Sequence, residues 1–410
     1  MNVKSLQQAD RWIGVPLCFT LSLLRKIFGS STAALPPPKR ILVVKLAEQG
    51  STVLAYAALR RATELVGREQ VYFVALEDNR FILDELGVIP PENVIPVAYG
   101  SGLGLVRGLW SALRRIRALR IDTAVDLEFF ARGSAALTFL TGATRRIGFH
   151  SFFGDGPYRG DLMTHRLLYN PHLHTSETFL ALVEAINCEA KSLPTYAYVP
   201  PVAQVEPPLF VPTNEELERV RAMLRREAGQ GMRVILLNPN CSDLLPLRRW
   251  PNARYVQVAE RLLAQFPEVC VAFTGAPTES AAIADLVRRV ASPRCVSLAG
   301  KTTLRELLVL YTLADVLVTN DSGPAHFATL TPIYVVTLFG PETPALFAAR
   351  TPHNTVLWAG LACSPCVSAF NNRQSACRDN VCMQAISVEQ VVQVTARAYE
   401  AKTSAPKTVS

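Results

Sequence analysis

Short apolar runs separated by helical stretches recur along this sequence from residue 40 onward, and this alternation restricts the folds open to it. Residues 41–44 are all apolar and three of the four are β-branched, as is typical of a strand buried in a parallel sheet. Further runs at 71–76, 94–97 and 123–127 are separated by sequence with a helical pattern. The alternation predicts an α/β domain with a parallel sheet.

A proline-rich stretch divides this pattern from a second copy of it. Six prolines fall within residues 194–213, a composition typical of a linker. Beyond it the alternation resumes, with strands expected at 234–237, 269–273, 296–298, 316–318 and 334–338. The chain is long and apolar enough, at 410 residues and 49% hydrophobic, to bury a core in each half. We therefore expect an extension at 1–38, domains at 39–193 and 214–393, a linker at 194–213 and a tail at 394–410.

The extension carries an apolar segment with a basic end. Residues 12–24 contain no charged side chain, and Arg25 and Lys26 follow. Thirteen residues are too few to span a membrane, which takes about 20, and the basic pair stands where a signal peptide's cleavage region would begin. A helix from Pro16 to about residue 28 would suit the surface of a membrane, and packing on the domain is the alternative.

The net charge indicates which classes of partner the protein favours, and the cysteine content indicates its cellular compartment. Lysine and arginine exceed the acids by 42 to 34, and this net charge of +8 favours anionic partners. Nine cysteines, an odd number, do not suggest a secreted framework of disulfides and favour a reducing cytoplasm. Four of them are spaced so that a structural zinc is one interpretation, with disulfides or an apolar cluster as alternatives; these are Cys363, Cys366, Cys377 and Cys382.

The loops after the second set of strands hold residues suited to a phosphate ligand, because ligands bind beyond the carboxyl ends of parallel strands. Ser322 and Gly323 suit a tight turn, and Pro324 suits the first position of a helix. Free amides at a helix start favour an anion, and His326 would face it. The alternative is an ordinary cap with a buried histidine. Dinucleotide and P-loop binding are disfavoured because neither glycine motif occurs.

Two other loops in this half have similar chemistry. A hydroxyl-rich loop with Ser242 and the adjacent Arg248 fits a diphosphate, and the carboxylate of Glu279 fits ribose hydroxyls. Ordinary polar turns, with Glu279 as a charge in the first turn of a helix, are the alternative.

Taken together, these motifs resemble glycosyltransferase family 9, the ADP-heptose:lipopolysaccharide heptosyltransferase-like family of GT-B fold. The resemblance covers about residues 39–393. It rests on Thr-Asn-Asp-Ser-Gly-Pro-Ala-His at 319–326, Leu-Phe-Gly-Pro at 338–341, Arg-Arg-Trp-Pro at 248–251 and the four-cysteine segment. It implies two Rossmann-like α/β domains facing across a cleft, with a nucleotide-sugar donor in the C-terminal domain and a glycan acceptor in the N-terminal one.

The resemblance also implies a chemistry and a set of donor residues. The family's enzymes invert the anomeric centre without a metal: a base deprotonates the acceptor hydroxyl as the nucleotide diphosphate leaves. Positive charge and helix amides stabilise that leaving group. By position, the donor would be held by Ser242, Arg248, Glu279, Asp321, Ser322, Gly323 and His326.

The sequence departs from the family at the expected base. The family's first loop usually ends in Gly-Asp, whereas here Ser51 stands at the Asp position. A serine hydroxyl is no general base near neutral pH, so another carboxylate is needed. Glu48, in the same loop, is our first candidate and Glu128, after the fourth strand, our second. The alternatives are a solvated loop charge for Glu48 and an ion pair with Arg132 for Glu128.

Residues 101–121 form a second cationic element, with five arginines, no acid and Trp110 among leucines. One interpretation is a solvated helix face, and the other is a surface for an anionic glycolipid or membrane. Nucleic acid is disfavoured because no binding motif occurs. The arginines expected to bind an anionic acceptor are Arg114, Arg115, Arg145, Arg146 and Arg159.

The leading hypothesis is an inverting, metal-independent glycosyltransferase. It would move a heptose-like sugar from a donor such as ADP-heptose to a lipopolysaccharide-core or lipid-linked glycan. It would be cytoplasmic and peripherally associated with the inner membrane. Ser51 motivates a second hypothesis, a non-catalytic nucleotide-sugar-binding or assembly protein. A third is another GT-B enzyme, such as a nucleotide-sugar epimerase, which would need no lipid acceptor.

Overall fold

The computed structural model describes residues 3–28, 36–154, 156–190, 206–242 and 245–404. The chain divides into two units, each built on a six-stranded parallel sheet. The first unit comprises residues 1–207 and 368–374, and the second comprises 208–367 and 375–410. The division falls inside the expected linker, of which residues 194–205 lie outside the described residues.

The first unit has strands and helices in alternation. Its strands are β1 (Ile41–Val44), β2 (Val71–Leu76), β3 (Val94–Val97), β4 (Thr123–Asp126), β5 (Arg145–Phe149) and β6 (His165–Leu167). Its helices are α1 (Val3–Trp12), α2 (Gly14–Phe28), α3 (Gln49–Leu54), α4 (Tyr56–Val66), α5 (Arg80–Leu86), α6 (Gly102–Ala118), α7 (Arg132–Leu140) and α8 (Thr175–Glu184). The strand order is β3-β2-β1-β4-β5-β6.

Helices cover both faces of this sheet. Apolar residues of α4, α5 and α8 pack on one face, and those of α6 and α7 pack on the other. Helix α2 packs against α7, where it buries Cys18 and Leu21 beside Ala135 and Ala136. Both faces of the central strands are therefore shielded from solvent, which explains the uninterrupted apolar runs of β1 and β2.

The second unit repeats the architecture. Its strands are β7 (Arg233–Asn238), β8 (Val269–Phe273), β9 (Cys295–Ser297), β10 (Val316–Asn320), β11 (Tyr334–Phe339) and β12 (Asn354–Trp358). Its helices are α9 (Asn214–Ala228), α10 (Asn252–Gln265), α11 (Ser280–Val290), α12 (Leu304–Leu313), α13 (Gly323–Ala328), α14 (Pro344–Phe347), α15 (Val381–Gln384) and α16 (Val388–Ser404). The strand order is β12-β11-β10-β7-β8-β9. A capping box at Thr213 and Glu216 opens α9, as the sequence predicts.

Two expected boundaries differ in the structure. Helix α16 runs through residue 394 to Ser404 and buries Tyr399, so no separate tail begins at 394. Residues 368–374, expected in the second domain, belong to the first unit. Aromatic packing explains this, since the Phe370 ring lies 6.0 Å from that of Phe130 and 5.2 Å from that of Tyr169.

The N-terminal extension is attached to the first unit by polar contacts as well as apolar ones. Ala131, the N-cap residue of α7, offers no side-chain acceptor, and Asp10 of α1 supplies one instead. Its carboxylate accepts hydrogen bonds from the backbone N–H groups of Arg132 at 2.9 Å and Gly133 at 2.7 Å. The expected helix through residue 28 is thus present and packs on the domain.

Among the described residues, no helix combines the length and the apolar character that crossing a membrane requires.

Candidate active site

The first loop begins where β1 ends, and it places Glu48 beside an arginine. Glu48 has a left-handed backbone conformation, with φ of 68°, and immediately precedes α3. Its carboxylate forms an ion pair with Arg373 of the 368–374 segment. Glu48 is therefore held in place rather than freely solvated, and the guanidinium stabilises its negative charge.

Ser51, at the position where the family has its aspartate, is buried inside α3. Its hydroxyl donates a hydrogen bond of 2.9 Å to the backbone carbonyl of Glu48. The sequence predicts a turn through residue 52, but the helix already begins at Gln49. Ser51 supports the conformation of Glu48 and has no side-chain group that could act as a base.

Glu128, the second candidate base, holds the first loop in position. Its Oε1 accepts hydrogen bonds from the backbone N–H groups of Leu46, at 2.8 Å, and Ala47, at 3.0 Å. Lys45 Nζ lies 3.8 Å from the same oxygen. The expected ion pair with Arg132 does not form, because Arg132 pairs with Asp10 at 3.2 Å. One carboxylate oxygen of Glu128 is thus committed to the loop that carries Glu48.

A buried ion pair lies directly beneath this loop. Asp126, at the end of β4, pairs with Arg159, and both side chains are almost completely buried. Asp126 also accepts hydrogen bonds from the Ser134 hydroxyl and the Glu128 backbone. Burial raises the pKa of Asp126 to about 6, although Arg159 opposes this shift. Arg159 further donates to the backbone carbonyl of Phe129 at 2.9 Å, which fixes the chain that follows β4.

Three arginines expected to bind the acceptor are instead internal, which corrects that prediction. Arg159 is the ion-pair partner of Asp126. Arg145 donates to the Thr123 hydroxyl at 3.3 Å and to the Pro36 carbonyl at 3.0 Å. Arg146 donates to two backbone carbonyls, and burial lowers its pKa to about 10. Arg145 and Arg146 open β5, a strand that the sequence pattern does not reveal because it starts with two charged residues.

Helix α6 presents the other expected acceptor residues to solvent. Arg114 and Arg115 are exposed, and Arg115 donates to the backbone carbonyl of Glu92. On the same helix Trp110 is 60% exposed, and so to a similar degree are Leu103 and Val106. Since these three residues follow a helical spacing, they form an exposed apolar stripe beside the arginines.

In the second unit, the loops after β7, β8, β10 and β11 lie at one edge of the sheet, because these strands are parallel neighbours. Arg248, after β7, has its Nη1 3.6 Å from Oδ2 of Asp321, after β10. The same Nη1 lies 3.8 Å from Oε2 of Glu342, after β11. The structure thus brings the predicted Arg248 and Asp321 together, and adds Glu342, which sequence reasoning missed although it follows a strand end.

The residues around Ser322 are ordered by the backbone of the neighbouring loops. Ser322 precedes the short helix α13, which begins at Gly323, and its hydroxyl donates to the Asn320 carbonyl at 3.1 Å instead of capping. The Asn320 side chain in turn donates to the Pro239 carbonyl at 2.9 Å. His326 is buried within α13. The loops after β7 and β10 therefore form one connected structure.

Asn240, on the loop after β7, carries a buried polar side chain. Its Nδ2 is buried and has no hydrogen-bond partner among the described residues. A Cβ atom on Gly275 would lie 3.0 Å from Asn240 Nδ2 and 3.1 Å from Glu279 Oε2, so the three residues are adjacent. Glu279 itself accepts from the Ala276 N–H at 2.7 Å, as a charge in a first helical turn does. Ser242 is exposed on the loop after β7.

The four clustered cysteines differ in their surroundings. Cys382 is buried and Cys363 is exposed, while Cys366 and Cys377 are half-buried. Burial, and secondarily the other three thiols, raise the pKa of Cys382. Within the described parts of the chain, no three histidine, cysteine or acidic side chains are grouped closely enough to hold a metal ion. The geometry therefore does not support the zinc, which stays a prediction that metal analysis of the purified protein checks.

Comparisons with known proteins agree with these motifs. Residues 109–376 match the model of glycosyltransferase family 9 (heptosyltransferase). Over 144 residues, 34% of this chain, the sequence is 31% identical to lipooligosaccharide heptosyltransferase 2 of Haemophilus influenzae. That alignment covers 41% of the relative, so the chain spans less than half of its length.

The fold matches solved heptosyltransferases over most of the chain. An Escherichia coli structure of ADP-heptose LPS heptosyltransferase II has a TM-score of 0.67 at 18% identity, covering 89% of this chain and 100% of its own. E. coli heptosyltransferase WaaC with ADP-2-deoxy-2-fluoro heptose has a TM-score of 0.57 at 17% identity, covering 87% and 99%. The family model matches more than half of the residues of this chain. The chain therefore belongs to glycosyltransferase family 9.

Proposed function

We propose that the protein is an inverting glycosyltransferase that moves a heptose or a similar sugar from a nucleotide diphosphate to a lipopolysaccharide-core or lipid-linked glycan. The main observation behind this proposal is the set of loops at one edge of the second sheet, where Arg248 lies between Asp321 and Glu342. Membership of family 9, and relatives named as heptosyltransferases, support a glycosyltransferase over an epimerase.

In the donor site we propose, two carboxylates hold an arginine in place. Asp321 and Glu342 hold the Arg248 guanidinium, so that it meets a diphosphate without a large loss of side-chain freedom. The buried Nδ2 of Asn240 provides a further donor that is already desolvated. A donor such as ADP-heptose fits this chemistry, and one solved relative carries an ADP-sugar. These groups would stabilise the leaving diphosphate without a metal ion.

We expect Arg248→Gln to weaken ADP binding about 10- to 100-fold, because a hydrogen bond to a charged group contributes about 1.5–3 kcal/mol. Arg249→Gln is the matched control, since it removes the neighbouring guanidinium, which donates to the Cys241 carbonyl at 3.2 Å. Isothermal titration of each full-length variant with ADP measures the effect. Equal losses in both variants, or none in Arg248→Gln, would contradict this donor site.

For the base we favour Glu48. A base in the first unit would deprotonate the acceptor hydroxyl, which attacks the anomeric carbon from the face opposite the leaving diphosphate and inverts the centre. Glu128 has one oxygen occupied by two backbone N–H groups, whereas the carboxylate of Glu48 is held by side chains, with Arg373 in an ion pair and Ser51 donating at 3.4 Å. We assign Arg373 the role of positioning Glu48.

A donor panel scored for nucleotide diphosphate release, with and without membrane glycolipid extract, tests the proposed activity. We expect release that depends on one class of nucleotide-sugar and on the extract. The second candidate function, a non-catalytic nucleotide-sugar-binding protein, is favoured by the buried Ser51 at the usual base position. Absence of release with every donor would support that candidate.

We further propose that the protein associates peripherally with the cytoplasmic face of the inner membrane. Exposed apolar side chains on α2 and α6 support this, because both helices also carry arginine or lysine. These side chains are Leu17, Phe19, Leu23, Leu24, Ile27, Leu103, Val106 and Trp110.

Trp110→Ser is expected to lower binding to vesicles that contain phosphatidylglycerol about 10-fold, because an indole gains free energy on leaving water. Co-sedimentation of the full chain measures this binding. Val211→Ser, at an exposed apolar residue of the second unit, is the control and should have no effect. If both variants bind like the wild type, α6 is not a membrane contact.

A further inference from the structure

A cavity of about 370 Å³ opens between α2 and residues of the segment that follows β5. Phe19, Leu23 and Lys26 of α2 form one wall, and His150, Tyr158 and Arg159 contribute to the other. Because His150 follows the last residue of β5, the cavity lies at the carboxyl edge of the first sheet. Its volume is typical of a small-ligand pocket and too small for a whole glycolipid.

The α2 wall is built into the unit and does not merely lie against it. Gly160, with φ of 73°, lets α2 approach closely, since a Cβ there would lie 2.5 Å from Ser22 Oγ and 2.7 Å from the Cys18 carbonyl. Ser22 Oγ also accepts a hydrogen bond of 2.8 Å from the Asp161 N–H. Helix α2 precedes residues 109–376, which match the family model. This wall is therefore not part of the matched family region.

The cavity is apolar on one side and cationic on the other. Phe19 and Leu23 are 62% and 50% exposed, although they line a concave surface. Asp161 is paired with both Arg25 and Arg166, and Lys26 is exposed on the turn of α2 that carries Arg25. Such a combination of surfaces suits an amphiphile with an anionic head.

Arg159 connects the cavity with the loops that carry the candidate bases. It is 2% exposed, and its Nε has no hydrogen-bond partner among the described residues. Its Nη1 donates to the backbone carbonyls of Glu128 and Phe129. Glu128 in turn holds the loop before Glu48. The cavity is therefore linked, through Arg159 and Glu128, to the loop that carries Glu48.

We propose that this cavity binds the lipid end of the acceptor, that is, an anionic head group with the first part of its hydrocarbon chain. Phe19 and Leu23 contact the chain, and Lys26 faces the head group. Helix α2 is then part of the acceptor site as well as a structural attachment. This assignment rests on the proposed function, because it takes the amphiphile to be the acceptor.

Dodecyl phosphate below its micellar concentration is the probe, and isothermal titration of the full chain measures its binding. Leu23→Gln is expected to weaken binding about tenfold. Leu24→Gln is the matched control, because Leu24 is the next residue, is 41% exposed and does not line the cavity. Lys26→Gln is expected to weaken the binding of dodecyl phosphate but not that of uncharged dodecyl maltoside. Inorganic phosphate alone should bind far more weakly than the amphiphile.

Equal effects of Leu23→Gln and Leu24→Gln would overturn the proposal, since they would indicate an unspecific apolar surface such as a membrane contact. The proposal would also be overturned if Leu23→Gln bound dodecyl phosphate with the affinity of the wild type. In transfer assays, dodecyl phosphate should raise the KM for glycolipid extract and leave the KM for the donor unchanged. Transfer without amphiphile binding would refute this cavity assignment alone, whereas specific binding without transfer by any donor would refute the proposed function and the acceptor's identity.

Discussion

Glu48→Gln is expected to lower kcat for sugar transfer at least about 100-fold, because general base catalysis contributes about 10²- to 10⁴-fold and an amide accepts no proton. The substitution is nearly isosteric, and the amide oxygen can still accept the hydrogen bond that Arg373 donates in the native chain. Binding of donor and acceptor should therefore change little. Steady-state release of nucleotide diphosphate at saturating donor and acceptor measures kcat.

Glu128→Gln is the control for this prediction. Its amide oxygen can still accept from the N–H groups of Leu46 and Ala47, so the first loop should keep its shape. We expect most of the turnover to remain, with a lower melting temperature from the lost contact with Lys45. Full turnover in both variants would exclude both carboxylates, and loss in Glu128→Gln alone would move the base to that residue.

Arg159→Met is expected to lower the free energy of unfolding of the first unit by about 3–5 kcal/mol at pH 8, because it removes one partner of a buried ion pair. It also removes the donors to the carbonyls after β4. The shift in the urea midpoint of the full chain measures the loss. Arg146→Met also removes a buried guanidinium bonded to carbonyls, but in the described part of the chain that guanidinium forms no ion pair with a carboxylate.

The loss in Arg159→Met should depend on pH. Burial raises the pKa of Asp126 to about 6 in the native protein, above its usual value of 3.8. A group whose pKa is higher in the folded than in the unfolded protein stabilises the fold at pH values below its pKa in the unfolded state. That contribution is lost as the pH rises through its pKa in the folded state. Without Arg159 the pKa of Asp126 rises further, since the cation lowers it.

The defect should therefore be smaller at pH 5 than at pH 8, and adding Asp126→Asn should remove this dependence. Arg146→Met should show no such dependence between these pH values. An equal defect at pH 5 and pH 8 would contradict the buried pair as its cause.

The central strands were predictable because their environment is uniform. β1 and β2 are buried on both faces, so each reads as an apolar run. β5 is buried as well, but Arg145 and Arg146 begin it and find their partners in the backbone. Side chains paired in this way break the apolar pattern without exposing the strand, and no local rule reveals them.

The candidate site was predictable only in part, for a related reason. The segments at 248–251 and 319–326 carry local motifs, and the structure brings Arg248 and Asp321 within 3.6 Å. The partner of Glu48 is Arg373, which lies 325 residues away in sequence. A contact of that separation depends on the path of the whole chain, and residues 368–374 return to the first unit from within the second.

The contacts of α2 have a consequence for the order of events during translation. Ser22 and Asp161 are separated by 139 residues, and Asp10 and Gly133 by 123. At about 5–20 residues per second, the ribosome makes Asp161 roughly 7–28 s after Ser22. During that interval Cys18 and Leu21 are as exposed as the rest of the helix. A chaperone or a lipid surface that covers the nascent helix in this period would protect it from aggregation until residue 161 has been made.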